Sequence, residues 1–127
     1  MSNRAVISTP SAPDAIGPYS QAVKVGNTVW LSGQIPLVPK TMELIEGNVA
    51  AQATQVFHNL AAVADAAGGS LDDAVKINIS LTDLDDFAAV NEVMAQFLSE
   101  PFPARACVQV AALPRGAAVE IEAILAL

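Results

Sequence analysis

The chain has 127 residues, 53% of them hydrophobic and 15% charged, and 6 basic against 13 acidic residues leave a net charge of -7. That length suits one domain spanning residues 1–127, with roughly two thirds of its unfolded surface buried, and the negative charge excludes nucleic acid as a charge-driven partner because it repels a phosphate backbone. The mean hydropathy of +0.44 is high for a chain without a run of about 18 uninterrupted apolar residues, so no membrane span is expected and part of the apolar surface is expected to lie between subunits.

Ala5 to Ser8 reads as a short strand, followed by an irregular segment held by Pro10, Pro13, Gly17 and Pro18. Gln21 to Val25 and Thr28 to Ser32 flank Gly26-Asn27, a two-residue hairpin signal. Gly33 to Gly47, with Pro36 and Pro39, reads as a loop with a small β excursion. Asn48 then caps a long helix whose stripe is Val49, Ala53, Val56, Phe57, Leu60, Ala64 and Ala67, closed by Gly68-Gly69.

Ala74 to Leu81 alternates as a strand. Asp83 is placed to cap a second helix, with Leu84, Phe87, Val90, Met94, Phe97 and Leu98 as its buried face and Pro101 and Pro103 as its stop. Two strands, Ala104 to Ala111 and Ala117 to Leu125, follow, joined through LPRG at 113–116. The order β-β-β-α-β-α-β-β describes an α+β fold with two helices against one face of a sheet.

The last two strands hold the residues with the most chemistry. With Pro114 and Arg115 as central turn residues, antiparallel pairing sets Gln109 opposite Glu120 and Cys107 opposite Glu122. Arg105, Cys107, Gln109, Glu120 and Glu122 then share the helix-free face, while Val108, Val110, Val119 and Ile121 pack under the helices. A register slip of one residue would part the two groups. Two readings fit: a solvated ion pair on an open sheet, or an arginine fork that grips a small carboxylate beside a glutamate that manages protons.

Other chemistry has less support. A nucleophilic pair would need both Cys107 and His58, the only residues of their types, and His58 lies off the helix stripe. One histidine and one cysteine support no zinc or iron cluster, so no metal is expected. GxGxxG and GxxxxGK[ST] are absent from the sequence, leaving ATP and NAD without support. The single cysteine permits no internal disulfide and MSNRAVISTPSAP has no signal-peptide core, so the cytosol is the expected location.

Five ordered segments carry a resemblance: APDAIGPYSQAV at 12–23, SGQIP at 32–36, DLDDFAAVN at 83–91, PARACVQVAALPRG at 103–116 and VEIEA at 119–123. Together they resemble the Rid (YjgF) family, and its RidA branch in particular. The resemblance implies a chorismate-mutase-like fold with a mixed sheet, a homotrimer with sites in its subunit clefts, and hydrolysis of 2-iminobutanoate and 2-iminopropanoate released by pyridoxal-phosphate enzymes to 2-keto acids and ammonia, with no cofactor. It implies Arg105 as the carboxylate grip, Glu120 as the catalytic glutamate, and Tyr19, Ser32, Gly33, Asn91 and Cys107 as further site residues. Three features depart from the family pattern: Met42 stands where a turn glycine is common, Met94 where a tyrosine is common, and the segment before Phe102 is short. They bear on loop shape and the cleft entrance. The rival functions are a non-catalytic trimer that binds small carboxylates, and a ribonuclease or translation inhibitor, which the charge opposes.

Overall fold

The computed structural model describes residues 3–127. In chain order the elements are β1 (Ala5–Ile7), β2 (Ala22–Val25), β3 (Thr28–Gln34), α1 (Val49–Ala66), β4 (Ala74–Leu81), α2 (Phe87–Phe97), β5 (Ala104–Gln109) and β6 (Val119–Ala126). They form one six-stranded sheet in the order β1-β2-β3-β6-β4-β5, with both helices on one face. Every strand pair is antiparallel except β4 with β5, so the sheet is mixed.

Local chemistry sets the helix ends. Asn48 caps α1 by accepting a 3.0 Å bond from the Ala51 amide, and Gly68, at φ +90, turns the chain out of it. Asp83 does not cap α2 directly. Its carboxylate accepts from the Asp85 amide and caps a 3₁₀ turn, Leu84–Asp86, that runs into α2. Three residues per turn shift the phase of that first segment, so Leu84 is exposed rather than buried, and the fully packed positions of α2 are Val90 and Val93.

The core lies between the helices and the centre of the sheet. Ala53, Val56, Phe57, Leu60, Val63 and Ala64 of α1 meet Val29, Leu31, Ile77, Ile79, Leu81, Val119, Ile121 and Leu125. Phe57 stacks on Phe97 with ring centroids 5.3 Å apart.

The expected hairpin between the last two strands does not form. β4, α2 and β5 make a crossover unit, which returns the chain to run parallel to β4. β5 takes the sheet edge, and β6 enters on the other side of β4, antiparallel to it. The 113–116 turn therefore belongs to a connection that crosses the end of β4, where Val110 N donates to Leu81 O and Thr82 N to Ala118 O. Register then decides the faces. Arg105, Cys107 and Gln109 lie beside Ile77, Ile79 and Leu81, on the helix side, whereas Glu120 and Glu122 lie beside Ser80 and Asn78, on the helix-free side. Val108, expected beneath the helices, is on the helix-free face and 52% exposed.

Candidate functional site

The expected site residues fall into two groups, one on each side of the sheet. The first surrounds Arg105 on the edge strand. Its guanidinium donates from Nη1 to Asn91 Oδ1 and lies 4.8 Å from the Phe87 ring centroid. Both partners are neutral, so the positive charge is held in place without being cancelled. A recess of about 340 Å³ beside it is lined by Asn91, Met94, Leu98 and Phe102 among others. Asn91 is exposed at the rim of α2 rather than facing the core. Cys107 follows on the same strand face and is half-buried. Burial pushes its thiol above the ordinary range, against the opposing pull of Arg105, so it is a protonated thiol at neutral pH rather than a nucleophile.

The second group surrounds Glu120 on the other side. A register shift in β3 between Leu31 and Gln34 carries Gly33 against this side chain. A Cβ on Gly33 would sit 3.0 Å from Glu120 Cδ and 3.2 Å from Oε1, so glycine is needed here for close approach rather than for a positive φ. The carboxylate faces a cavity of about 490 Å³ whose lining includes Tyr19, Ser32, Gly33, Leu37 and Pro114. Burial, and then the Glu122 charge, push the Glu120 carboxyl above its ordinary range. Ser32 Oγ donates to Ser20 O at 2.6 Å, a bond that fixes the wall of the cavity.

Side-chain amides, buried at Gln21 and Asn59 and half-buried at Gln52, fasten those walls. Gln21 holds the 9–13 segment: Nε2 donates to the carbonyls of Thr9, Ala12 and Pro13 while Oε1 accepts from Thr9 N. From α1, Asn59 Nδ2 donates to Leu37 O at 2.9 Å, and Gln52 Oε1 accepts from Ala118 N, two residues before Glu120. Sequence reasoning passed over all three. Asn59 had a signal, because it falls three residues after Val56 and four before Val63 on the apolar stripe. Gln21 and Gln52 had none, since their partners are distant loops.

The two groups do not meet within one chain. Arg105 aligns with Ile77 and Glu120 with Ser80, on strands flanking β4. Two strand spacings across and three residues along put their backbones about 14 Å apart, and the side chains leave opposite faces. A ligand of only a few atoms therefore does not bridge both in one copy. Among the described residues, no cluster of three His, Cys, Asp or Glu is arranged to hold a metal ion, and no helix is long and apolar enough to cross a membrane.

A profile of the family described as endoribonuclease L-PSP matches residues 9–127. The chain belongs to that family, Rid/YjgF. Among Rid relatives, the 2-iminobutanoate/2-iminopropanoate deaminase of Dermatophagoides farinae is 52% identical over 125 residues, covering 98% of each chain. The crystal structure of RidA from an Antarctic Psychrobacter species aligns with a TM-score of 0.94 at 63% identity, covering 97% of this chain and 99% of that one. E. coli TdcF, crystallised with bound serine, aligns with a TM-score of 0.91 at 44% identity, covering 97% and 98%. The expected fold class, two helices on a mixed sheet, is therefore the Rid fold.

Proposed function

We propose that this Rid protein is a cytosolic 2-imino acid deaminase, converting 2-iminobutanoate and 2-iminopropanoate to 2-keto acids and ammonia. Deaminases of that name are about half identical to this chain over nearly its whole length. The observation that carries the reading is Arg105, a guanidinium positioned by a neutral amide and a ring face with its charge left for an anion. The carboxylate of a 2-imino acid matches that fork through two parallel bonds. The serine bound to TdcF is a small molecule of related shape, with a carboxylate and a nitrogen on the same carbon.

The substrate carbon next to the gripped carboxylate lies too far from Glu120 of the same chain, so the site is composite. Arg105, Asn91 and Cys107 come from one copy, and Glu120, Gly33, Ser32 and Tyr19 from its neighbour, in a homotrimer. The helix-free face supports this assembly, because Trp30 and Val108 leave 43% and 52% of their surface exposed there, an apolar display that a single copy does not cover. In the composite cleft Arg105 fixes the imine carbon. Glu120, in its ionised form, takes a proton from a water that adds to this carbon. The same carboxyl returns the proton to nitrogen, giving a carbinolamine, then carries the hydroxyl proton to nitrogen as well, and the C–N bond breaks to release ammonia and leave the keto group. Water supplies the oxygen and no redox step occurs. The raised carboxyl of Glu120 suits both transfers.

Subunit mixing tests the composite site. Serine or threonine and a dehydratase generate the imine, semicarbazide competes for it, and keto-acid release is followed. Arg105→Ala and Glu120→Gln are each inactive alone. Refolded together at equal ratio they regain activity at about a quarter of the sites, because each site in a ring takes its two halves from different copies. No regain in assembled mixtures would refute the composite cleft. No acceleration by the native protein would favour the carboxylate-binding module instead.

A further inference from the structure

Among the described residues only Met42 and Arg115 are non-glycine residues at positive φ, +59 and +60. Each occupies a place that favours glycine, and a single hydrogen bond joins them. Pro36 to Ile45 forms a small hairpin, with Leu37 bridged to Leu44 and Ile45 N bonded to Pro36 O. At its tip Val38 O accepts from both Thr41 N and Met42 N, a turn through Pro39-Lys40 followed by a left-handed bulge residue. That bulge residue is Met42. In the segment before β6, Gly116 N bonds to Leu113 O and Ala117 N to Pro114 O, two overlapping turns that both put Arg115 at a left-handed position. Arg115 Nη1 then donates to Met42 O at 2.7 Å, 73 residues away in sequence.

The bond joins two segments that each contribute to the lining of the Glu120 cavity. Leu37, at the base of the hairpin, and Pro114, beside Arg115, are both among its lining residues. Left-handed conformations at non-glycine residues persist only where surrounding contacts over-determine them. Here the contact is the guanidinium, and it ties the hairpin that carries Leu37 to the turn that carries Pro114.

We propose that Arg115 is a positioning residue of the reaction site: by clasping the 36–45 hairpin to the 114–116 turn through the Met42 carbonyl, it holds the walls around Glu120 at one separation. The inference rests on Glu120 acting in imine hydrolysis. Arg115 touches neither substrate nor Glu120. Without the clasp the hairpin moves away, water enters, and a water poised for attack is less well placed.

The test measures kcat/KM and its pH profile in the dehydratase-coupled assay for Arg115→Ala, Arg115→Gly, Arg115→Lys, Met42→Gly and Glu120→Gln, with melting temperature and oligomeric state as controls. Arg115→Gly suits the turn backbone better than arginine while removing the clasp, so it separates the tether from the turn. The expected result is a loss of about tenfold in kcat/KM for both the alanine and glycine variants, retention by Arg115→Lys, and a smaller alanine effect in the Met42→Gly background, where glycine holds the left-handed turn unaided. The acidic limb of the profile should also move to lower pH as the carboxyl becomes hydrated. Asp14, Tyr19 and Glu122, the other ionisable groups lining that cavity, are unchanged in these variants. Native kcat/KM in Arg115→Gly would overturn the clasp while leaving the role of Glu120 intact, provided Glu120→Gln is inactive. Full activity in Glu120→Gln would overturn both.

Discussion

Gly33→Ala is the sharpest probe of the Glu120 cavity. The new Cβ would lie 3.0 Å from Glu120 Cδ and 3.2 Å from both Cγ and Oε1, against an optimal carbon–carbon separation of about 3.5–4.0 Å. The carboxylate must therefore retreat by about 0.5–1 Å. The neighbour is the far end of a half-buried side chain and Gly33 does not need positive φ, so the backbone need not shift. Strain on the order of 1 kcal/mol is offset by the 0.4–1 kcal/mol that alanine removes from the entropy of the unfolded chain. Net stability should change by less than about 1 kcal/mol, a melting shift under about 5 °C at this chain length. Activity behaves differently, because a misplacement of about 1 Å at the reacting group costs up to about a hundredfold. Imine hydrolysis in the dehydratase-coupled assay should fall about 10- to 100-fold while folding and oligomeric state persist. Native kcat/KM in a folded Gly33→Ala protein would refute the claim that this contact sets the carboxylate.

Two further outcomes follow from the ionisation states. Burial first and Glu122 second raise the Glu120 carboxyl, so the base form, and with it kcat/KM, is lost as pH falls through that raised value. Glu122→Gln removes the second cause and should move the acidic limb to lower pH, and an unmoved limb would assign the shift to burial alone. A carboxyl raised on folding binds more protons in the folded state, so its contribution to stability falls as pH rises, and the same variant should melt no lower than the native protein at pH 7. Cys107→Ala should keep most of the activity, because the thiol is held protonated by burial and is not among the residues lining the recess beside Arg105. A loss matching that of Arg105→Ala would show that the thiol acts chemically.

The elements themselves were legible in the sequence, because local interactions determine them. The Asn48 cap reaches only to Ala51, and the α1 stripe and the alternation of 74–81 depend on neighbours a few residues away. Alternation also determined correctly that Arg105, Cys107 and Gln109 share one side of their strand and Glu120 and Glu122 one side of theirs. What periodicity does not contain is which neighbour a strand takes and which of its sides meets the helices. The α2 crossover decided that, making β5 parallel to β4 at the sheet edge and letting β6 insert beyond. Proximity in sequence across LPRG pointed to a hairpin, and tertiary pairing overrode it, parting Arg105 from Glu120. The family pattern already marked Met42 as standing where a turn glycine is common, but its bond to Arg115 was hidden, since it joins turns 73 residues apart. The sequence by itself determined which chemical groups this protein carries and the segments that bear them. Only the tertiary structure decided that Arg105 and Glu120 stand on opposite faces of the sheet, because the meeting of distant strands is settled by packing the whole sheet at once.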